Sequence, residues 1–314
     1  MNQYERKKIP PAMRFQARDG EILKAIHDHD GLLARRQIKE LFWANASQRA
    51  MGMRLSVLYH NHFLAWASPE QRRLRAIPEP LVWLGWRGIL YLANLAEVDI
   101  PEPGNHGENQ MRLLEKRLRK AGIRWQREPR WSQLSHDIAV NDFRLAVEGA
   151  ASYWPSLELE EWLAEGDFLT DMDVISISKK RKKGIRPDGF FVLVDHMRKI
   201  QHSPARGRFL LELDNGTHPV TRFGRDKALP GIKYLRSAAY KKRFGFNSGR
   251  WLVVAQGKQR LSNLKDQTEK ILGKDASVFF FTTLEQVQIK TVLNSPIWLR
   301  GGSDTPEQLV RTIR

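Results

Sequence analysis

"RFLLELDNGTH", residues 208–218, reads as an apolar strand that carries two acids. Side chains in a strand alternate between faces, so Phe209, Leu211 and Leu213 point one way while Leu210, Glu212 and Asp214 point the other. Two carboxylates therefore share a face, roughly 7 Å apart by strand geometry. A second apolar run, "GIRPDGFFVLVDHM", precedes this one, with Asp188 at its mouth directly after Pro187. If the two runs pair as hairpin neighbours, the carboxylates of Asp188, Glu212 and Asp214 converge. Hard divalent cations, Mg²⁺ or Mn²⁺, take such oxygen ligands and retain exchangeable waters. A metal there would offset the repulsion between the acids and activate water against a phosphodiester.

The rest of the chain is suited to bring a polyanion to that acidic point. Its 314 residues carry a formal net charge of +17, more than solubility requires, which suggests a nucleic-acid partner. The hydrophobic fraction, 41%, is enough for the cores of two ordinary domains. No apolar run is long enough to span a bilayer, and "MNQYERKKIPPAMRF" lacks the apolar centre of a secretory signal, so the expectation is a cytoplasmic protein with no membrane partner. The absence of cysteine excludes disulfides, thiolate catalysis and zinc fingers built on Cys ligands. No GxGxxG or GxxxxGK[ST] stretch supports a dinucleotide or nucleoside-triphosphate loop.

"IPEPGNHGEN", residues 100–109, separates two helical patterns and marks the expected linker. Residues 1–13 read as a basic arm, 14–99 as the first domain, 110–294 as the second, and 295–314 as a short helix or tail. In the first domain, Ile22, Leu23 and Ile26, with Asp19 suited to cap the start, predict one helix. Leu33, Ile38, Leu41 and Phe42 predict a second, and a third begins near Ser47 with Met51, Leu55 and Leu58 as its buried stripe. Gln48, Arg49 and Arg54 would face outward early in that third helix, where a recognition helix contacts base edges. A strand, a basic turn with Arg72, Arg73 and Arg75, a second strand around "LVWLG" and a helix follow. This order looks like a winged helix-turn-helix whose wing neutralises phosphates of double-stranded DNA. Such three-helix modules also serve as dimerisation domains.

In the second domain, "LSHDIAVNDFRLAVEGAASYW" places Asp137, Asn141, Arg144 and Glu148 along one helix face. That stripe either looks into a cleft or pairs within the helix, Arg144 with Glu148. The run "SKKRKKG", with Lys180, Arg181 and Lys182, reads as a solvated loop or a phosphate contact. Tyr234 and Tyr240 lie in a Lys-rich helical segment and read as aromatic core.

With Pro187-Asp188 and Glu212-Leu213-Asp214 on adjacent strands after a helix carrying Glu148, the second domain resembles the PD-(D/E)XK nuclease core. More narrowly, "LSHDIAVNDFRLAVE", "RPDGFFVL", "FLLELDNGT" and "KYLRSAAYKKRFG…WLVVAQGKQRLSNL", behind an upstream winged helix, resemble the replication-relaxation family over about residues 15–285. The resemblance implies a mixed α/β fold: a winged helix-turn-helix, then a nuclease-like mixed sheet flanked by helices. It further implies DNA binding in plasmid or mobile-element replication or mobilisation, with a relaxase or replication protein as partner. By the same resemblance Asp188 and Glu212 match the metal-binding acids and Glu148 the helix acid. Where the nuclease motif has lysine two residues after the second acid, this chain has Asp214. Lys227 or Lys233 on the following segment could substitute. Without such a lysine the fold would grip DNA but not cleave it.

Overall fold

The computed structural model describes residues 5–75, 77–101, 107–202, 205–216 and 219–310. Residues 1–4 of the expected arm, 102–106 of the expected linker and 311–314 of the expected tail lie outside the described residues. The chain divides into two compact units, Met1–Asn141 and Asp142–Arg314.

The first unit runs α1 (Ala17–Asp28), β1 (Leu32–Ala34), α2 (Arg35–Trp43), α3 (Gln48–His60), β2 (Leu64–Ala65), α4 (Pro69–Leu74), β3 (Leu81–Leu84), α5 (Trp86–Leu95) and α6 (Glu108–Lys120), and enters α7 (Leu134–Tyr153). Strands β1 and β2 flank β3, both antiparallel to it. Ile22, Leu23, Ile26, Ile38, Leu55 and Leu58 of the predicted stripes are removed from solvent, as is Leu33, which stands on β1 and not in the expected second helix. Leu41 departs from its expected burial and is exposed. Ser47 caps α3 by accepting from the Ala50 amide at 3.2 Å, which satisfies one donor of the first turn.

The expected basic turn after β2 is instead the short helix α4. Pro69 supplies a preset φ at its start, and the Ser68 hydroxyl accepts from the Gln71 amide at 3.1 Å. The division between units also falls beyond the 100–109 stretch. Leu114 and Leu118 of α6 insert into the first unit's core, so burial ties that helix to what precedes it.

The second unit continues α7 into β4 (Leu157–Ala164), α8 (Glu165–Thr170), β5 (Val174–Ser178), β6 (Arg181–Gly184), β7 (Gly189–Asp195), α9 (His196–Ile200) and β8 (Arg206–Asp214). Then come α10 (Val220–Phe223), a π-helical turn at Gly224–Ala228, α11 (Leu229–Leu235), α12 (Ala238–Phe244), β9 (Arg250–Ala255), α13 (Lys258–Leu272), β10 (Phe279–Thr283), β11 (Trp298–Arg300) and β12 (Pro306–Glu307). Among the described residues seven strands make one mixed sheet, ordered β12-β11-β10-β9-β8-β7-β4. Strand β8 pairs antiparallel with β7 and parallel with β9, and β9 is parallel to β10.

Alternation along β7 and β8 sorts the core into two faces. Phe190, Val192 and Leu210 pack with Tyr234, Tyr240, Trp251 and Phe281 on one face. On the other, Phe191 stacks on Phe209, ring centroids 4.9 Å apart, and Phe143 of α7 lies against Phe191. Residues 296–310 are not a free tail: β11 and β12 extend the sheet, and Trp298 is fully buried with its indole donating to the Val292 carbonyl at 2.8 Å. Lys180 stands in the turn of a β5–β6 hairpin, and Arg181 and Lys182 lie on β6, so the expected solvated loop is a paired strand.

Candidate active site

The register of β7 against β8 pairs Gly189 with Leu211, which sets Asp188 level with Glu212 and on the same face. Both carboxylates are buried, Asp188 at 5% and Glu212 at 8% exposure. Asp188 is held by the backbone: its amide donates to the Leu211 carbonyl at 2.9 Å, and one carboxylate oxygen accepts from the Leu213 amide at 2.6 Å. Strand pairing thus fixes both the position and the direction of this acid.

Glu212 meets a cation from a distant segment. Lys227 Nζ lies 2.6 Å from Glu212 Oε1 and 2.8 Å from Oε2. The lysine sits in the π-helical turn between α10 and α11, a local widening of the helix of a type that often marks functional positions. Gly224 opens that turn; a Cβ there would meet the Gln267 carbonyl at 2.9 Å and Ile271 at 2.8 Å, so only glycine lets the turn rest this closely on α13. Burial opposes the charge on Lys227, but Glu212 and then Asp188 outweigh it and hold the lysine pKa above its ordinary value. The ammonium therefore answers to both acids at once.

A pocket of about 340 Å³ opens beside this group, with Glu212, Lys227, Lys183, Arg186 and Asp226 among its walls. Lys183 donates to the Asp226 carbonyl, and Arg186 pairs with Glu165 at 3.0 Å. Burial lowers the Lys183 pKa, with Asp226 pulling against it. The mouth of the acid pair is thus framed by basic side chains. Lys183 and Arg186 went unsingled in the sequence, although Arg186 directly precedes Pro187-Asp188.

Three expected members stand elsewhere. Asp214 is clamped by Arg260 of α13, Nε to Oδ1 2.8 Å and Nη2 to Oδ2 3.0 Å, and also accepts from the Gly216 amide at 2.8 Å. It closes the turn after β8, where Gly216 takes a positive φ of 75°. Glu148 pairs with Arg144 at 2.6 Å within α7, which packs on the Phe191 face of the sheet, whereas Asp188 and Glu212 use the opposite face. The alternative of pairing within the helix is the arrangement found. Lys233 donates to the Ile177 carbonyl at 2.5 Å. The remaining members of the α7 stripe belong to the first unit, where Asp137 pairs with Arg130 at 2.6 Å and Asn141 donates to the Leu32 carbonyl at 2.8 Å.

The expected metal set of Asp188, Glu212 and Glu148 is therefore not assembled, and among the described residues no group of three or more His, Asp or Glu is placed to hold an ion. Asp188 and Glu212 alone suit a magnesium-type site, which takes one or two carboxylates and completes its shell with waters and substrate phosphate.

In the first unit, Gln48 and Arg49 are exposed in the opening turn of α3. Arg54 is not available to a base edge: its guanidinium forms an ion pair with the fully buried Asp19 and donates to the Arg14 carbonyl at 2.9 Å. Asp19 does help to start α1, reaching back from the first turn to accept from the Gln16 amide at 2.8 Å. Arg72 and Arg73 lie on α4; Arg75 follows it, over the Trp131 ring at 5.9 Å. Tyr234 and Tyr240 are fully buried core residues, in keeping with the aromatic-core reading.

Among the described residues no helix is long and apolar enough to cross a membrane. No curated protein and no solved structure matches this chain. A model of the replication-relaxation family matches residues 23–228, a span that runs from α1 through both acid-bearing strands and ends one residue after Lys227. That match takes in well over half of the sequence, and the chain belongs to the replication-relaxation family.

Proposed function

We propose that this member of the replication-relaxation family, whose role lies in replication or processing of plasmid or mobile-element DNA, binds double-stranded DNA through its first unit and cleaves a phosphodiester at Asp188, Glu212 and Lys227. The observation that carries the cleavage reading is the 2.6 Å contact of Lys227 with Glu212, beside Asp188. It supplies, from a helix, the lysine that the strand lacks at position 214. Mg²⁺ or Mn²⁺ held by Asp188 and Glu212 would polarise the phosphodiester and lower the pKa of a bound water. Burial opposes the charge on Lys227 and the carboxylates of Glu212 and Asp188 favour it, with the net effect of raising its pKa. Its ammonium orients the nucleophile and stabilises the negative charge that develops on phosphate oxygen. Lys183 and Arg186 at the pocket wall hold the flanking phosphates.

For the first unit, the order of α1, α2 and α3 with a three-stranded sheet supports a winged helix. Gln48 and Arg49 would read the groove, while Arg72, Arg73 and Arg75 contact backbone phosphates. The test is a supercoiled plasmid incubated with the full chain and Mg²⁺ or Mn²⁺. Nicking is expected, and it should fall at least about 100-fold in Asp188→Ala, Glu212→Gln and Lys227→Ala.

A second reading has its own observation. Lys227 occupies both oxygens of Glu212, and Arg260 clamps Asp214, so the chain neutralises its own acids. On that reading the protein is a noncatalytic DNA scaffold that recruits a relaxase or replication partner. DNA binding without metal-dependent nicking in the plasmid assay, unchanged in all three variants, selects it.

A further inference from the structure

The β5–β6 hairpin stands apart from the seven-stranded sheet and carries five consecutive cations, Lys179, Lys180, Arg181, Lys182 and Lys183. Its base is fixed. Ile175, Ile177 and Ile185 sit in the same buried cluster as Phe190, and the Ile185 amide donates to the Asp173 carbonyl at 2.9 Å. Alternation then sorts the charges between two faces. Lys183 lies opposite the buried Ile175, and Arg181, two residues before it, turns to the same side. Both reach Asp226, the neighbour of Lys227: Arg181 meets its carboxylate at 3.3 Å, and Lys183 donates to its carbonyl. This inward pair ties the hairpin to the π-helical turn.

Lys182 lies opposite Ser176 and faces outward with it, while Lys179 and Lys180 form the turn. All three are exposed, and among the described residues none is paired with a carboxylate. Like charges on so short a ribbon repel one another, and a polyanion relieves that repulsion. The outward face of the hairpin holds Val174, Ser176, Ser178 and Lys182, with no aromatic ring on which an unpaired base could stack. The phosphates of a duplex suit that surface better than a single strand does. Lys180 is three residues from Lys183, roughly 10 Å along the ribbon, or about three base-pair rises of duplex. Lys183 walls the pocket beside Glu212 and Lys227, so one duplex can meet the pocket and the turn together.

We infer that the β5–β6 hairpin is a second duplex-DNA contact of this chain, in which Lys179, Lys180 and Lys182 hold backbone phosphates about three base pairs from the phosphate at Glu212 and Lys227. Where that last phosphate lies rests on the cleavage reading; the hairpin contact itself does not.

The experiment titrates the full chain with a labelled duplex of about 30 base pairs in EDTA, so that cleavage plays no part, and reads affinity against salt by fluorescence anisotropy. Lys179→Gln, Lys180→Gln and Lys182→Gln combined are expected to flatten the salt slope by about 2.7, three contacts at roughly 0.9 each, and to weaken binding at least about tenfold at physiological salt. Lys199→Gln, which removes an exposed charge on α9, beyond the end of β7 remote from Asp188, should change the slope by less than about 0.3. The sequence has no cysteine, so Lys180→Cys gives a single attachment point for an iron chelate whose radicals should cut the bound duplex. The same chelate at Ser152→Cys, exposed on α7 across the sheet, should cut far less. Melting temperatures establish that each variant folds. The inference is overturned if the folded triple variant keeps wild-type affinity and slope, if Lys199→Gln alone flattens the slope as much, if single-stranded oligo(dT) loses more affinity than the duplex, or if the chelate cuts no more from position 180 than from 152. Affinity lost in the triple variant, with no metal-dependent nicking by wild type, removes the cleavage reading and leaves the hairpin contact standing.

Discussion

Lys227 and Arg54 show how a basic side chain acquires its role from its partner. Glu212 is buried and rests on Lys227, so Lys227→Met should destabilise the second unit by about 1–3 kcal/mol, because it removes a charged donor from a buried carboxylate. Combining it with Glu212→Gln should recover part of that loss in denaturant unfolding; additive losses would contradict the pairing. Arg54 stands to Asp19 in the same relation, at a site with no exposure on the acid. Arg54→Met is expected to cost about 3–5 kcal/mol. Arg49→Ala, on an exposed position of the same helix, should leave stability within about 0.5 kcal/mol and weaken duplex binding instead. Tyr240 gives a pH reading of the core. Burial pushes its phenol up to about 12, partly offset by Arg208. The folded state keeps this proton where the unfolded chain loses it near 10, so its contribution to stability is complete below pH 10 and disappears as pH rises to about 12. Absorbance at 295 nm, wild type minus Tyr240→Phe, should show the ionisation near pH 12; a step near pH 10 would mean an exposed ring.

At the level of elements, the π-helical turn at Gly224–Ala228 is the part on which the site depends. Helix α13 packs against it so closely that a methyl group at Gly224 meets backbone oxygen. Gly224→Ala should therefore cost about 1–3 kcal/mol and draw Lys227 away from Glu212. Loss of plasmid nicking larger than the fraction unfolded would separate misplacement from instability. The elements that carry the acids were readable because strand alternation and the Pro187-Asp188 boundary are local properties. The turn that supplies the lysine was not, since a π turn depends on what its helix packs against. Helix α4 was hidden for a different reason: Arg72, Arg73 and the following Arg75 suggested a wing, while the helix starts on the Ser68-Pro69 cap.

Across the whole molecule, charge is the dominant quantity. A net charge of +17 predicts duplex binding whose log affinity falls steeply with log salt, with a slope of about −4 or steeper if four or more phosphates are neutralised. A titration between 50 and 200 mM salt checks this, and a flat response would contradict phosphate-led recognition. The charge is also unevenly used. Arg54, Arg144, Arg206 and Arg260 are committed to carboxylates within their own unit, and exposed positions such as Arg49 and Arg73 remain for a ligand.

The sequence by itself determined the mixed α/β class, the buried stripes of α1 and α3, the two acid-bearing strands and the family. These follow from periodicity and from the order of elements, which are fixed by covalent neighbours. Only the tertiary structure decided which distant charges meet, Glu212 with Lys227 and Asp214 with Arg260, and that residues 298–300 and 306–307 join the sheet edge. Packing sets those partnerships, because a side chain's electrostatic neighbour is chosen by which face of which element lies against it, and no local pattern encodes that choice.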